Sequence, residues 1–209
     1  MNKLIIAIIA CLLFARIASA HDGYHYAGIA GTAPSTDTTI ATMMMPHKPT
    51  NCPSGDCHVI GWTVLWDAYA TGQYVEAGIG YNRNKSKHVT LWWASPQHET
   101  MKKVATVPYG TWVLVAIYKP LGQEHAEVRW RWIDAQGVLQ EIIKLIDTPG
   151  WLGNMAYHPT KAEVYTENGH PGNVELHFNG VWQWPGDQLY WHVEGKWAPE
   201  GTFEEFNVR

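Results

Sequence analysis

The sequence predicts an all-β protein, an antiparallel β-sandwich. Two observations carry this prediction. Strand-like runs recur at short spacing between Gly, Pro and Asn breaks. Almost no segment after residue 20 has the 3.6-residue periodicity of an amphipathic helix. Short strands joined by turns, without helices between them, are typical of two antiparallel sheets that pack face to face.

Twelve strands are predicted, and several show the period-two alternation of a sheet with one apolar face. In residues 127–133, for example, the charged side chains share one face and Val128, Trp130 and Trp132 share the other. The predicted strands are Tyr24–Ala30, Thr38–Met45, His58–Trp66, Tyr74–Asn82, His88–Trp93, Thr111–Lys119, Glu127–Ile133, Leu139–Ile146, Ala162–Glu167, Asn173–Phe178, Gln188–His192 and Thr202–Val208.

Three segments carry further expectations. Residues 111–118 are apolar on both faces, which predicts a strand between two layers. Asp134-Ala135-Gln136-Gly137 predicts a hairpin turn. Residues 148–160 show no strand pattern and predict a long loop of the kind that is often functional.

The strand Tyr74–Asn82 is the one that points to chemistry. Its alternation places Val75, Ala77, Ile79 and Tyr81 on an apolar face. The other face carries Tyr74, Glu76, Gly78 and Gly80, so that a single carboxylate stands beside two glycines that permit close approach to the backbone. Such a carboxylate is a candidate for acid–base catalysis, and a solvated glutamate on an outer sheet face is the alternative.

Residues 1–20 predict a secretory signal peptide. Lys3 supplies the positive start, residues 4–14 the apolar run, and Ala18-Ser19-Ala20 the cleavage site, which makes His21 the mature N-terminus. We therefore expect a secreted protein, extracellular or periplasmic, without membrane association after cleavage. Residues 21–209 are predicted to form a single β-sandwich domain, because no linker, charge block or repeat divides them.

The mature chain contains two cysteines, Cys52 and Cys57. In an oxidising compartment this pair is expected to close a short loop as a disulfide. A two-cysteine metal site is the rival, but Cys-x4-Cys alone rarely holds zinc and no second cysteine pair exists in the sequence. We expect no metal and no other cofactor.

Charge and aromatic content narrow the function classes. The formal net charge is −4 at pH 7 with histidine neutral, and Lys and Arg are scattered, which argues against nucleic acid as a partner. The 11 histidines would make the protein cationic in mildly acidic surroundings. The 12 tryptophans and 10 tyrosines fill a core or line a groove.

A second carboxylate pattern lies in Ala162-Glu163-Val164-Tyr165-Thr166-Glu167, where alternation puts Glu163, Tyr165 and Glu167 on one face. Together with Glu76-Ala77-Gly78 this resembles the glutamic peptidases. Eqolisins have a Gln-x-Gly strand motif with a catalytic glutamine and an Ala-Glu-x-x-x-Glu motif with a catalytic glutamate. Neprosin has Glu-Ala-Gly at the first motif and a Glu–Glu pair.

Further similarities and one departure accompany these motifs. Residues 42–46 match a Thr-Trp-Thr-Val-Pro strand of eqolisins, and residues 91–96 match their Trp-Tyr-Glu-Trp-Tyr-Pro segment. The glutamate of that segment falls on Trp93, so a secondary carboxylate of eqolisins is missing. The resemblance runs loosely from Tyr24 to the C-terminus, and it implies a fold of long antiparallel strands, a concanavalin-like jelly roll.

The resemblance implies a secreted glutamic endopeptidase with a Glu76/Glu167 dyad. Glu167 would activate water, and Glu76, at the place of the glutamine, would stabilise the oxyanion while protonated. Two nearby carboxylates push their protonation apart, so an acid optimum is expected. The substrate is a polypeptide, and we expect a monomer. Tyr74, Trp92, Trp93 and Tyr165 would line the substrate groove, and Glu163 would support it.

Two other functions compete with the peptidase. Trp-rich sandwiches often bind glycans, and residues 182–186, Trp-Gln-Trp-Pro-Gly, resemble a loop that stacks on sugars. That interpretation is a lectin-like carbohydrate-binding β-sandwich without catalysis. A mature N-terminal histidine, here His21, is also how copper monooxygenases begin, but no downstream motif matches them. The candidates for the second copper ligand are His25, His47, His58, His158 and His170.

Overall fold

The structure is a computed structural model. It describes residues 24–29, 32–34, 37–49, 57–67, 72–82, 87–120, 122–151, 153–157, 160–166, 175–184 and 192–196. The residues described there form strands and turns and contain no helix, which confirms the all-β prediction. The strands are β1 Tyr24–Ile29, β2 Thr32–Pro34, β3 Thr38–Met44, β4 Cys57–Asp67, β5 Tyr74–Asn82, β6 Val89–Ser95, β7 His98–Val107, β8 Val113–Tyr118, β9 His125–Ile133, β10 Leu139–Asp147, β11 Asn154–Tyr157, β12 Thr160–Thr166, β13 Glu175–Trp184 and β14 His192–Lys196.

These strands form two antiparallel sheets. The first sheet has the order β1-β12-β4-β5-β6-β7. Two further strands belong to it outside this order, because β11 pairs with β4 and β2 pairs with β11. The second sheet has the order β10-β9-β8-β3-β13-β14. β4 and β5 therefore lie in the middle of the first sheet, which places Glu76 on a strand with a neighbour on both sides.

The core lies between the sheets and follows the predicted alternation. Val75, Ala77, Ile79 and Tyr81 of β5 are at most 1% exposed and belong to one buried cluster. Trp130 of β9 is fully buried in the same cluster, and its indole N–H donates a hydrogen bond to the carbonyl oxygen of Gly78 at 3.4 Å. The apolar face predicted for β5 is thus confirmed.

Strand β8 differs from its prediction as a strand between two layers. Val113, Val115 and Ile117 are fully buried. Leu114 and Ala116 instead line a shallow depression on the outer side of the second sheet. The described chain has no third layer against that side. The apolar residues on both faces of β8 therefore led to a prediction of more burial than the strand has.

Several strands were missed or misplaced. β7, an edge strand with charged residues, was not predicted, nor was the short strand β2. β11 lies inside residues 148–160, which were predicted to be a loop. β13 continues past Phe178 through a bulge to Trp184, so the Trp182–Trp184 segment pairs with β3 and is not a loop. β14 lies at His192–Lys196, and of the strand predicted at Gln188–His192 the structure describes only His192.

The turn predicted at Asp134–Gly137 is present between β9 and β10. Asp134 Oδ1 accepts hydrogen bonds from the backbone N–H of Gln136 at 3.0 Å and of Val138 at 2.9 Å. Gly137 has a φ of 78°, which a glycine adopts without strain. The backbone hydrogen bond from Val138 holds the pKa of Asp134 below its ordinary value. Together with the bonds from Gln140 and Gln136 it outweighs the opposing effect of burial.

Other predictions lie outside the described residues. They concern the signal peptide in residues 1–20, His21, Cys52 and the strand at 202–208. Cys57 begins β4, and its disulfide stays a prediction. Where the chain is described, no helix is long and apolar enough to cross a membrane.

Candidate active site

Glu76 lies on the solvent side of the first sheet, at its centre. Its backbone pairs with Val64 of β4 and with Ala94 of β6, and the residue is half-buried. Since directly paired residues of antiparallel strands share a face, Val64 and Ala94 flank the glutamate. We call this side of the sheet the outer face. It carries a second apolar cluster of Ile60, Trp62, Val64, Trp92 and Ala94, with Trp66 and Tyr74 packed against it.

The two glycines that follow Glu76 shape the outer face. A Cβ on Gly78 would lie 1.9 Å from the carbonyl oxygen of Gly61, so no side chain fits there. A Cβ on Gly80 would lie 2.7 Å from Ile60 Cγ2. Gly78 pairs with both Trp62 and Trp92, whose rings approach to 6.4 Å between centroids across the position it leaves empty.

Tyr74 stands two residues before Glu76 on the same face. Its ring packs against Trp66 with 5.2 Å between centroids. Burial, and after it the negative charge of Glu76, raises the pKa of the Tyr74 phenol. The two side chains therefore share one electrostatic environment, and Tyr74 is in place to line a groove beside the carboxylate.

The adjacent residues Trp92 and Trp93 face opposite sides of the sheet. Trp92 is 3% exposed and belongs to the outer-face cluster. Trp93 packs against the core cluster and meets the ring of His98 edge to face at 4.8 Å. Period-two alternation allows only one of the pair to lie on the outer face, so the prediction that both line the groove is wrong for Trp93.

A cavity of about 370 Å³ opens on the outer face beyond Gly80. It lies between strands β4, β5, β6 and β7, and its lining consists of His58, Ile60, Gly80, Tyr81, Asn82, Thr90, Trp92, Thr100, Met101 and Lys103. The indole nitrogen of Trp92 is buried and has no hydrogen-bond partner in the part of the chain that the structure describes. Sequence reasoning missed this cavity because β7, which supplies three of its residues, was not predicted.

The second carboxylate motif lies on β12, two strands away from Glu76. Glu163 pairs with Ile60 of β4, and Tyr165 pairs with His58. Thr166, the last described residue of β12, pairs with Cys57, whereas Glu76 pairs with Val64. Cys57 and Val64 are seven residues apart on β4, which corresponds to roughly 23 Å along the strand.

The register therefore leads the described end of β12 away from Glu76. Glu167 lies outside the described residues, and the predicted Glu76/Glu167 dyad stays a prediction. The backbones of Glu163 and Tyr165 are beside Ile60 and His58, which line the cavity. Glu163 pairs with Ile60, four residues along β4 from Val64, the partner of Glu76.

A metal centre is not apparent in the described part of the chain. No group of three or more His, Cys, Asp or Glu side chains lies close enough there to hold an ion. The chemistry on the outer face is that of a half-buried carboxylate, a neighbouring phenol and apolar walls, an arrangement suited to proton transfer or to binding of an extended chain.

By its fold, this chain is an all-β protein of two antiparallel sheets. Among solved structures, the chain is similar to scytalido-glutamic peptidase with a peptide-based transition-state analogue, with a TM-score of 0.51, 12% identity and coverage of 81% of this chain and 83% of that one. A second structure of that peptidase, with a transition-state analogue inhibitor, gives 0.50 and 11%, covering 90% and 87%.

A further similar structure is a member of the eqolisin family in complex with the tripeptide Ala-Ile-His. It has a TM-score of 0.50, 9% identity and coverage of 90% of this chain and 88% of that one. No family model and no curated protein matches the sequence. At these identities the likeness shows the fold alone, a sandwich of two antiparallel sheets.

Proposed function

We propose that this protein is a secreted glutamic-type endopeptidase that hydrolyses polypeptides in acid, with Glu76 as one of its catalytic carboxylates. The observation that carries the proposal is the position of Glu76, half-buried at the centre of an outer sheet face whose next residues on that face are glycines. The similarity of the fold to eqolisin-type peptidases supports the same conclusion.

The proposed role of Glu76 is to stabilise the oxyanion that forms when water attacks the peptide carbonyl. A carboxyl group donates a hydrogen bond only while it is protonated, and an ordinary glutamate loses its proton near pH 4.3. The role therefore requires acid. Val64 and Ala94, both buried, give the carboxyl group apolar neighbours on either side, which strengthens a hydrogen bond to the developing charge.

The second carboxylate activates the water. The resemblance to eqolisins assigns this role to Glu167. The register of β12 supports Glu163 as an alternative, because Glu163 pairs with Ile60, four residues along β4 from the partner of Glu76. The motif is our reason to propose Glu167, because in eqolisins the catalytic glutamate is the second one of Ala-Glu-x-x-x-Glu. Glu163 is the matched alternative, since it is the first glutamate of the same motif.

The test is cleavage of a denatured protein at acid pH by the mature wild type and by Glu76→Ala, Glu163→Gln and Glu167→Gln. Loss of activity in Glu76→Ala and Glu167→Gln, with Glu163→Gln active, supports the proposed dyad. Loss in Glu76→Ala and Glu163→Gln alone assigns the second role to Glu163. Full activity of Glu76→Ala refutes the role of Glu76.

A lectin-like carbohydrate-binding protein is the second candidate, and the aromatic outer face is what favours it. Sugars stack on exposed rings, but Trp62 and Trp92 are only 6% and 3% exposed. Because these rings are buried, carbohydrate binding is less well supported than the peptidase function. Retention on a glycan column, together with no cleavage by the wild type, would decide in its favour.

A further inference from the structure

We propose that the cavity beyond Gly80 binds a glutamate side chain of the substrate, about four residues away from the scissile bond. The identification of the ligand as substrate rests on the proposed peptidase function. The binding of an acidic side chain rests on the cavity itself.

The shape of the cavity follows from Gly80. The absence of a side chain there leaves a hollow, and Ile60 Cγ2 and Trp92 Nε1 would lie 2.7 Å and 3.3 Å from a Cβ at that position. Ile60, Trp92 and Met101 give the hollow apolar walls. A volume of about 370 Å³ is within the range of sites that take small ligands and is ample for one long side chain.

The charge of the lining selects the ligand. Lys103 is exposed at the cavity, and its backbone pairs with Trp92, so the ammonium group is carried beside the apolar walls. His58 contributes an imidazole ring to the same lining. Among the lining residues that the structure describes, none is Asp or Glu. A glutamate fits this arrangement because its methylene groups contact the walls while its carboxylate reaches the cation.

The position of the cavity sets its relation to the catalytic carboxylate. Gly80 is four residues beyond Glu76 on β5, which corresponds to roughly 13 Å along the strand. An extended peptide advances by about the same length per residue as a strand. A side chain that occupies the cavity therefore belongs to a residue about four positions from the bond that is cleaved beside Glu76.

The chain offers a matched pair of lysines for the test. Lys103 lines the cavity, whereas the neighbouring Lys102 is equally exposed, pairs with Trp93 and does not line it. Lys103→Ala and Lys102→Ala remove the same charge from the same exposed strand. Met101→Trp, at a residue that is 43% exposed, fills the cavity without changing its charge.

Binding is measured first, without catalysis. The Glu76→Ala variant is titrated with a ten-residue extended peptide that contains one glutamate and with the same peptide containing glutamine. We expect about fivefold tighter binding of the glutamate peptide, with a preference that falls as salt is added. The preference should disappear in Lys103→Ala and Met101→Trp and persist in Lys102→Ala. Equal affinity for the two peptides, no binding of either, or a preference that survives Lys103→Ala overturns the proposal.

Cleavage of a peptide mixture by the wild type is measured second. A preference for glutamate about four residues from the cleaved bond is the expected result. Cleavage without that preference overturns the cavity as a subsite and leaves the peptidase function intact. Selective binding of the glutamate peptide without cleavage of any peptide has the opposite meaning: the site stands and the proposed function fails.

Discussion

Glu76 and Thr166 flank the same strand, β4, at positions seven residues apart. Glu76 pairs with Val64 from one side, and Thr166 pairs with Cys57 from the other. Because the strands of one sheet lie along nearly the same axis, this offset separates the backbones of the two residues by roughly 25 Å, when the rise per residue and the spacing of two strands are combined. Which glutamate can serve as the proposed second catalytic carboxylate depends on this register.

The register can be measured in solution. Spin labels on Glu76→Cys and Thr166→Cys, in a background of Cys52→Ser and Cys57→Ser, should report backbone separations of roughly 25 Å. A second pair, Glu76→Cys with Ala94→Cys on the neighbouring strand, serves as the short-distance control. A distance of about 10 Å for the first pair would mean that β12 lies eight residues further along β4, which would bring Glu167 level with Glu76.

Gly78 is expected to tolerate no side chain. In Gly78→Ala the new Cβ meets the carbonyl oxygen of Gly61 and the Cα of Trp62, and both are backbone atoms that cannot turn aside. We expect a loss of about 3 kcal/mol or more in the free energy of unfolding, measured by urea denaturation. Gly80→Ala is the control, because its nearest contact is the side chain of Ile60, and it should cost less. Equal losses in the two variants would contradict the geometry.

Lys119 is expected to stabilise the end of the sandwich where β8 finishes. It is 1% exposed, its Nζ donates a hydrogen bond to the carbonyl oxygen of Gln123 at 2.7 Å, and it lies 5.3 Å above the ring of Trp151. Lys119→Ala leaves these groups and the buried Asp67 without the cation, which should cost about 3 kcal/mol in the free energy of unfolding. Lys144→Ala, at an exposed site of β10, is the control. Equal stability of the two variants would show that the buried ammonium contributes nothing.

Asp134 gives the β9–β10 turn a dependence on pH. Its pKa is lower in the folded protein, so the stability that its carboxylate contributes is complete above the unfolded value near 4 and is lost as the pH falls through the folded value. Asp134→Asn should be less stable than the wild type at pH 6, and the difference should shrink below pH 4. Urea denaturation at a series of pH values tests this. A difference that is constant from pH 6 to pH 2 would mean that ionisation plays no part.

The sequence predicted the elements better than it predicted their pairing. The bounds of β5 agree with the structure because Val75 to Tyr81 alternate without interruption against a buried core. β7 was missed because its pairing with β6 shifts twice, between Leu91 and Trp92 and between Trp93 and Ser95, so no regular alternation marks it. Because β7 supplies part of the cavity lining, the cavity could not be predicted without this strand.

The sequence predicts only part of the candidate site, because alternation along a strand gives the face of a residue but not its neighbours on other strands. Alternation alone places Glu76 and Tyr74 on the face opposite the core, and it requires that Trp92 and Trp93 point to different sides. It does not determine which of the two faces the core, nor where Glu163 stands along β4. Both depend on contacts between strands that are distant in the sequence. The register of β12 against Ile60 and Cys57 of β4 is determined only when the sheet forms.

The central claim is that Glu76 acts as a protonated hydrogen-bond donor, and one replacement tests it most directly. Glutamine donates the same hydrogen bond at any pH. Cleavage of a denatured protein should fall about 100-fold or more in Glu76→Ala, whereas Glu76→Gln should remain active and extend its activity toward neutral pH. If Glu76→Gln is as inactive as Glu76→Ala, or if Glu76→Ala cleaves as well as the wild type, Glu76 does not have this role.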